Sequence, residues 1–230
     1  MNNLAIIPAR GGSKRIPGKN IKDFLGKPII AYSIEIALKS GLFDEVMVST
    51  DDRVIAETSI KHGARVPFFR SKKNSDDYAI TMDVIQEVVF EYKNQNRTFD
   101  SVCCIYPTAP LVSTNDLIDG YKKLIEQNCD VVYPVTVFSY PILRGLVIDT
   151  DGNMRMKWPE YYKTRSQDLE KVYHDSGQWY WYSNKSLENN KFDIVKPIIL
   201  NEMMVQDIDN EADWLLAELK YEILQNQNRK

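Results

Sequence analysis

Cysteine is scarce, with three in 230 residues. Cys103 and Cys104 are adjacent inside an apolar run and Cys129 stands alone, which is neither a disulfide framework nor metal-ligand spacing. All three are expected to be reduced core residues. Glycine and proline are also few, at 10 each, and no repeat or low-complexity tract is visible, so the disordered and fibrous classes are excluded. No segment reaches about 18 apolar residues, and the opening Met-Asn-Asn-Leu lacks a charged region followed by a long apolar one. Neither a membrane span nor a leader is expected, and a cytoplasmic location follows. A basic surplus is missing too: 29 Lys and Arg stand against 32 Asp and Glu, for a net charge of -3. That balance argues against a general nucleic-acid binder. What remains, 43% hydrophobic and 27% charged residues, is the composition of a globular protein with a substantial core. The length suits one large domain or one with an appendage.

Hydrophobic periodicity gives the organisation. Leu4 to Pro8 is a short apolar run, followed by a Gly-rich basic loop and a helical pattern from Pro28 to Leu38, with Pro28 in the first turn and Gly41 as the stop. Glu45 to Thr50 predicts a strand, Arg53 to Lys61 a helix ended by Gly63, and Arg65 to Phe69 a third strand. Helices are then expected at Thr81 to Tyr92 and Asn115 to Gln127, with strands at Ser101 to Tyr106 and Asp130 to Val137. This alternation implies an α/β fold with a mainly parallel, Rossmann-like sheet that binds ligands beyond the carboxyl ends of its strands. The rhythm fails between 138 and 176, where Leu146 to Trp158 resembles a hairpin about Asp151-Gly152. The segment is expected to be an insertion in a single domain spanning 1–230, packed on a partner subunit. Returning strands at Gln178 to Ser183 and Val205 to Ile208 and a closing helix from Glu211 to Leu224 complete the pattern.

Three segments carry chemistry. Between Arg10 and Lys27 lie six basic residues and one acid, Asp23, directly after the first strand. Paired Gly11 and Gly12 let backbone approach an anion, and Arg10, Lys14, Arg15 and Lys19 can neutralise a triphosphate. The spacing is not that of the ATPase P-loop, because five residues separate Gly12 from Gly18 and Asn20 follows Lys19. A solvated basic turn is the plain alternative, disfavoured by the loop's position. Second, Asp207 and Asp209 in Gln206-Asp207-Ile208-Asp209 are two apart. In an extended segment they face one side with Cα atoms about 6.6 Å apart, close enough to share one Mg²⁺. Third, Thr164 to Asp168 and Tyr173 to Gln178 are polar and aromatic. Arg165, beside Gln167, can clamp a sugar carboxylate bidentately, while His174, Asp175 and Gln178 are candidates to contact the sugar. Pro107 and Thr108, after a buried strand, are placed for a base or ribose, and Ser49-Thr50-Asp51-Asp52 follows another strand. Trp158, Trp179 and Trp181 read as core or interface, and His62 as structural.

Ile7 to Asn20 resembles the opening signature of the acylneuraminate (CMP-sialic acid) cytidylyltransferases. Val48 to Asp51, Tyr106 to Leu111, Arg165 to Leu169, Gly177 and Gln206 to Asp209 follow in that family's order, so the resemblance covers nearly the whole chain. It implies a nucleotidyltransferase fold of glycosyltransferase-A-like type and a homodimer whose insertion reaches toward the partner's site. CTP would be the nucleotide and Mg²⁺ the cofactor. It also implies that Arg10, Ser13 and Lys19 lie on the triphosphate with Asn20 nearby, that Asp207 and Asp209 hold the metal, and that Arg165 lies near the acidic sugar. Tyr106 stands where the sialic acid enzymes have Gln, and Val112 where they have Arg. The run His174-Asp175-Ser176-Gly177-Gln178-Trp179-Tyr180-Trp181 looks like the pseudaminic acid branch. The implied reaction joins CTP to a nonulosonic acid, pseudaminic acid in that branch, for surface glycan or flagellin glycosylation. N-acetylneuraminic and legionaminic acids are the near alternatives. A glycosyltransferase using Asp207-x-Asp209, or a non-catalytic sugar-nucleotide sensor, are the distant ones.

Overall fold

A computed structural model describes residues 2–76 and 78–227. Met1, Asp77 and residues 228–230, which the single-domain expectation includes, lie outside them. The elements in order are β1 (Asn3–Pro8), β2 (Asp23–Phe24), β3 (Lys27–Pro28), α1 (Ile29–Ser40), β4 (Glu45–Ser49), α2 (Arg53–Lys61), α3 (Thr81–Asn94), β5 (Ser101–Ile105) and α4 (Thr114–Glu126). There follow β6 (Val131–Val137), β7 (Leu146–Ile148), β8 (Met154–Met156), β9 (Tyr173–Asp175), β10 (Trp179–Ser183), α5 (Asn184–Asn189), β11 (Val195–Ile199) and α6 (Glu211–Gln227). Local chemistry explains several boundaries. Gly41 ends α1 at φ 65°, and the Asp52 side chain caps α2 by accepting from Val54 N and Ile55 N.

Seven strands form one sheet in the order β11-β6-β10-β5-β1-β4, with β9 also pairing with β6. The pairs β1/β4, β1/β5 and β11/β6 are parallel, while β10 runs antiparallel to β5 and β6. Both faces are covered. Ala5, Ile7, Cys103 and Ile105 pack with Ile30, Ile34 and Leu117 from α1 and α4, and Leu4, Ile6, Val102 and Cys104 pack with Ile85, Val88 and Tyr92 from α3. Burial on both faces is why these strands read as continuous apolar runs. Trp179 and Trp181 are fully buried, and Gly120 lets α4 approach them: a Cβ there would lie 2.4 Å from the Trp179 ring. All three cysteines are free and buried.

Two strand expectations fail. Arg65 to Phe69 makes a single bridge to Met47 at the sheet edge, because Pro67 has no N–H to donate to a ladder. Val205 to Ile208 joins no strand. The strand that returns to the sheet in this region is β11, which the sequence pattern does not reveal because most of its residues are exposed. The hairpin about Gly152 forms as expected, with Gly152 at φ 83°. β9, within the expected insertion, is part of the main sheet.

Candidate active site

β1 lies between β4 and β5, so the strand order reverses direction at β1, the place where open α/β sheets leave a crevice. The loops after β1 and β5 open into it. A cavity of about 350 Å³ is lined by Arg10, Ser13, Lys14, Arg15, Lys19 and Asn20 from the first loop and by Pro107 and Thr108 from the second. The first loop is tied down from several sides. Ala9 N donates to Ser49 O (2.9 Å), Gly11 N to the Asp51 carboxylate (2.9 Å), and the buried Asn20 side chain to Arg10 O (3.0 Å). Gly11 is required sterically, since a Cβ would sit 2.7 Å from Asp52 Oδ2. The Ser49-Thr50-Asp51-Asp52 segment therefore supports the loop and caps α2.

The acidic pair comes to the same place by apolar packing. Ile16, in the cationic loop, and Ile208, between the two aspartates, are both buried in one cluster with Phe24, Trp214 and Ala217. Across this contact Lys19 Nζ donates to Ile208 O (2.7 Å), and Arg15 pairs with Asp209 at 2.7 Å. Burial lowers the Lys19 pKa, partly opposed by Asp209 and Asp207. Burial, and then the neighbouring Asp209, raises that of Asp207, with Lys19 pulling the other way. The chain thus holds two carboxylates close enough to repel beside a partly desolvated cation.

A second cavity, of about 400 Å³, adjoins the pair. It is lined by Asp207 and Asp209, by Thr136, His174, Asp175 and Ser176, and by Glu202, Asp213 and Lys220. His174 is exposed, its Nδ1 2.8 Å from Asp175 O and its ring against Phe138. Asp175 accepts from Gly177 N (2.8 Å) and Tyr180 OH (2.7 Å).

The family of such a site is settled by comparison with known sequences: the family model described as Cytidylyltransferase matches residues 4–207. The chain belongs to the cytidylyltransferase family. It is 46% identical over 227 residues to a pseudaminic acid cytidylyltransferase of Campylobacter jejuni, with 97% of each chain covered. It is 34% identical over 235 residues to the CMP-N,N'-diacetyllegionaminic acid synthase of Legionella pneumophila, with 98% of each covered. Among solved structures, a CMP:2-keto-3-deoxy-manno-octonic acid synthetase complexed with CTP superposes with a TM-score of 0.70 at 19% identity, covering 98% of this chain and 100% of that one. That likeness confirms the mixed α/β nucleotidyltransferase fold with its mostly parallel sheet.

Not every expected residue of this cytidylyltransferase reaches a cavity. Arg165 and Gln167 sit on the exposed surface of the insertion and line neither, and the Arg165 guanidinium is held by Asp168 at 2.6 Å. Gln178 is buried and also lines neither. Its amide donates to Met204 O (2.6 Å), so it braces the segment that carries the aspartates. Val112 packs in the core. Among the described residues no group of three or more His, Cys, Asp or Glu converges as a metal site, and no helix is long and apolar enough to cross a membrane. Sequence patterns give no sign of Arg70, buried under the loop with Nε on Ser49 Oγ (3.0 Å), or of Lys220, one lysine among several polar residues of α6.

Proposed function

We propose that this cytidylyltransferase transfers the cytidylyl group of CTP to pseudaminic acid, giving the CMP-sugar and pyrophosphate. The observation that carries the reading is the contact of the cationic loop with the acidic pair, through Lys19 to Ile208 O and Arg15 to Asp209. The choice of sugar is supported by the Campylobacter relative at 46% identity and by the run His174 to Trp181.

The sugar's anomeric hydroxyl attacks the α-phosphorus and gives up its proton to solvent, the bond from that phosphorus to the bridging oxygen breaks, and pyrophosphate departs. Arg10, Lys14 and Lys19, with Ser13 and Asn20, bind the triphosphate in the loop cavity and offset the charge that grows on the leaving group. Gly11 keeps the backbone close to that cavity, and Pro107 and Thr108 bound it from the β5 side. Asp207 and Asp209 suit a divalent cation, because their mutual repulsion is what such an ion relieves. Two carboxylates with substrate phosphates are also a usual Mg²⁺ set. Bound there, Mg²⁺ would supply Lewis-acid stabilisation of the phosphates. His174 and Asp175 line the cavity proposed for the sugar.

The insertion is read as a dimer contact. Leu146, Ile148 and Met154, on one face of the β7–β8 hairpin, are all more than half exposed. Dimerisation would let Arg165 and Gln167 serve the partner's cavity. Ile148→Asp is expected to shift the sedimenting species from dimer to monomer, and an unchanged species would remove the insertion from the interface. The CTP chemistry and the three reduced cysteines favour a cytoplasmic location.

The test is pyrophosphate release with CTP and Mg²⁺, offering pseudaminic, N-acetylneuraminic and legionaminic acids separately. Release with pseudaminic acid alone is expected. Preference for another acid would keep the chemistry and overturn the sugar, and no release with any would overturn both.

A further inference from the structure

The larger cavity poses a charge problem. Five carboxylates line it, Asp175, Glu202, Asp207, Asp209 and Asp213, yet the proposed substrate is itself an anion. Three of the five already accept hydrogen bonds within the chain, apart from the metal pair. Asp175 takes Gly177 N and Tyr180 OH, Glu202 takes Ser139 Oγ (2.6 Å), and Asp213 takes Asp209 N and Asn210 N (2.9 and 3.0 Å).

Two donors stand out against this background. Among the described residues, Lys220 is the one Lys or Arg lining the cavity. Its Nζ donates to Val205 O (2.7 Å) and Glu202 O (3.1 Å), which uses two of an ammonium's three N–H groups. Ser176, 2% exposed, lines the same cavity, and its Oγ has no hydrogen-bond partner among the described residues. A buried hydroxyl left unpaired is unfavourable enough to call for a partner, and because Ser176 lines the cavity a rotation about its Cα–Cβ bond can bring the hydroxyl to a ligand there. Lys220 belongs to no motif in the sequence, and Ser176 lies inside the run His174 to Trp181.

Resting on the function proposed above, we propose that Lys220 and Ser176 form the subsite for the acidic sugar, the Lys220 ammonium meeting its carboxylate and the Ser176 hydroxyl completing the contact from the cavity floor. This gives the carboxylate a partner inside the same chain, independent of Arg165 on the insertion.

The experiment compares wild type, Lys220→Met, Lys220→Arg and Ser176→Ala by steady-state pyrophosphate release, varying sugar and CTP in turn. Each sugar is offered as the free acid and as its methyl ester. Wild-type release with at least one nonulosonic acid must be seen first, and its absence would count against the function itself. Given that release, Lys220→Met is expected to raise the sugar KM by roughly 10- to 100-fold and to leave the CTP KM within about twofold. Its preference for acid over ester should collapse, and Lys220→Arg should restore most of it. Ser176→Ala, which removes no hydrogen bond within the chain, is expected to keep the wild-type Tm and raise the sugar KM about 3- to 10-fold. An undiminished acid-to-ester preference in Lys220→Met would overturn the proposal. So would a parallel rise in the CTP KM with a fall in Tm, which would mean that Lys220 only braces Glu202 and Val205. Ser176→Ala remains informative if Lys220→Met does not fold, because an unchanged sugar KM there also overturns the subsite.

Discussion

The cationic loop and the acidic segment meet at one point but are held in different ways. Residues 9–20 follow a central strand and are fixed by the backbone and short side chains nearby: Ser49 O, the Asp51 carboxylate and Asn20. Residues 202–209 belong to no strand and hang on long side chains from three separate elements. Lys220 holds Glu202 and Val205, Gln178 holds Met204, and Lys19 holds Ile208. A cationic loop can thus be fixed by the end of the adjoining strand, whereas a pair of repelling carboxylates needs buried donors and an apolar anchor, here Ile208.

The strongest way to break this comparison is to remove one member from each side. Lys19→Ala and Asp207→Ala should each lower kcat/KM on the order of 10² to 10³-fold with far-UV circular dichroism unchanged. If the two regions act as one electrostatic unit, the double variant should be little worse than either single one, while a multiplicative loss would separate them. The rigidity of the loop is tested next. Gly11→Ala drives a Cβ into Asp52 and should cost about 1 to 3 kcal/mol in chemical denaturation, whereas Gly12→Ala, with nothing within 4 Å of its Cβ, should stay within about 0.5 kcal/mol. For the acidic segment, Gln178→Ala orphans the Met204 carbonyl. It should lower stability by about 1 to 2 kcal/mol and raise the Mg²⁺ needed for half-maximal rate more than the CTP KM. Equal rises would show that Gln178 does not act through the aspartates.

The smallest effect concerns pH. Burial and Asp209 raise the Asp207 pKa in the folded chain, so the native state binds the proton more tightly than the unfolded one. Stability from this group is present below the ordinary carboxylate pKa and is lost as pH rises through the raised value. Asp207→Asn should therefore be slightly more stable than wild type at neutral pH, with the advantage vanishing in acid, as read by Tm across pH. A variant less stable at neutral pH would mean that Lys19 outweighs the repulsion.

Most helices and the strands β1, β4 and β5 were legible because both faces of those strands are buried, which leaves unbroken apolar runs between turn residues. The loop Arg10 to Asn20 was legible because its charge and glycines are contiguous. β11 was not, since its exposed positions carry no alternation, and the supposed strand at Val205 to Ile208 shows how an apolar residue between polar ones imitates a ladder when it is anchored alone. The sequence run offers Gln178 as a substrate contact, whereas in the structure its side-chain amide donates to a carbonyl 26 residues away.

The sequence by itself determined the α/β alternation, the cationic loop and the spacing of Asp207 and Asp209, because each is written in residues close together in the chain. Only the tertiary structure decided that Ile16 and Ile208 share one cluster, that Lys19 spans to the aspartate segment, and that Ser176 and Lys220 face one cavity. Those contacts join residues far apart in sequence, and burial of apolar surface, which has no preferred partner along the chain, is what selects them.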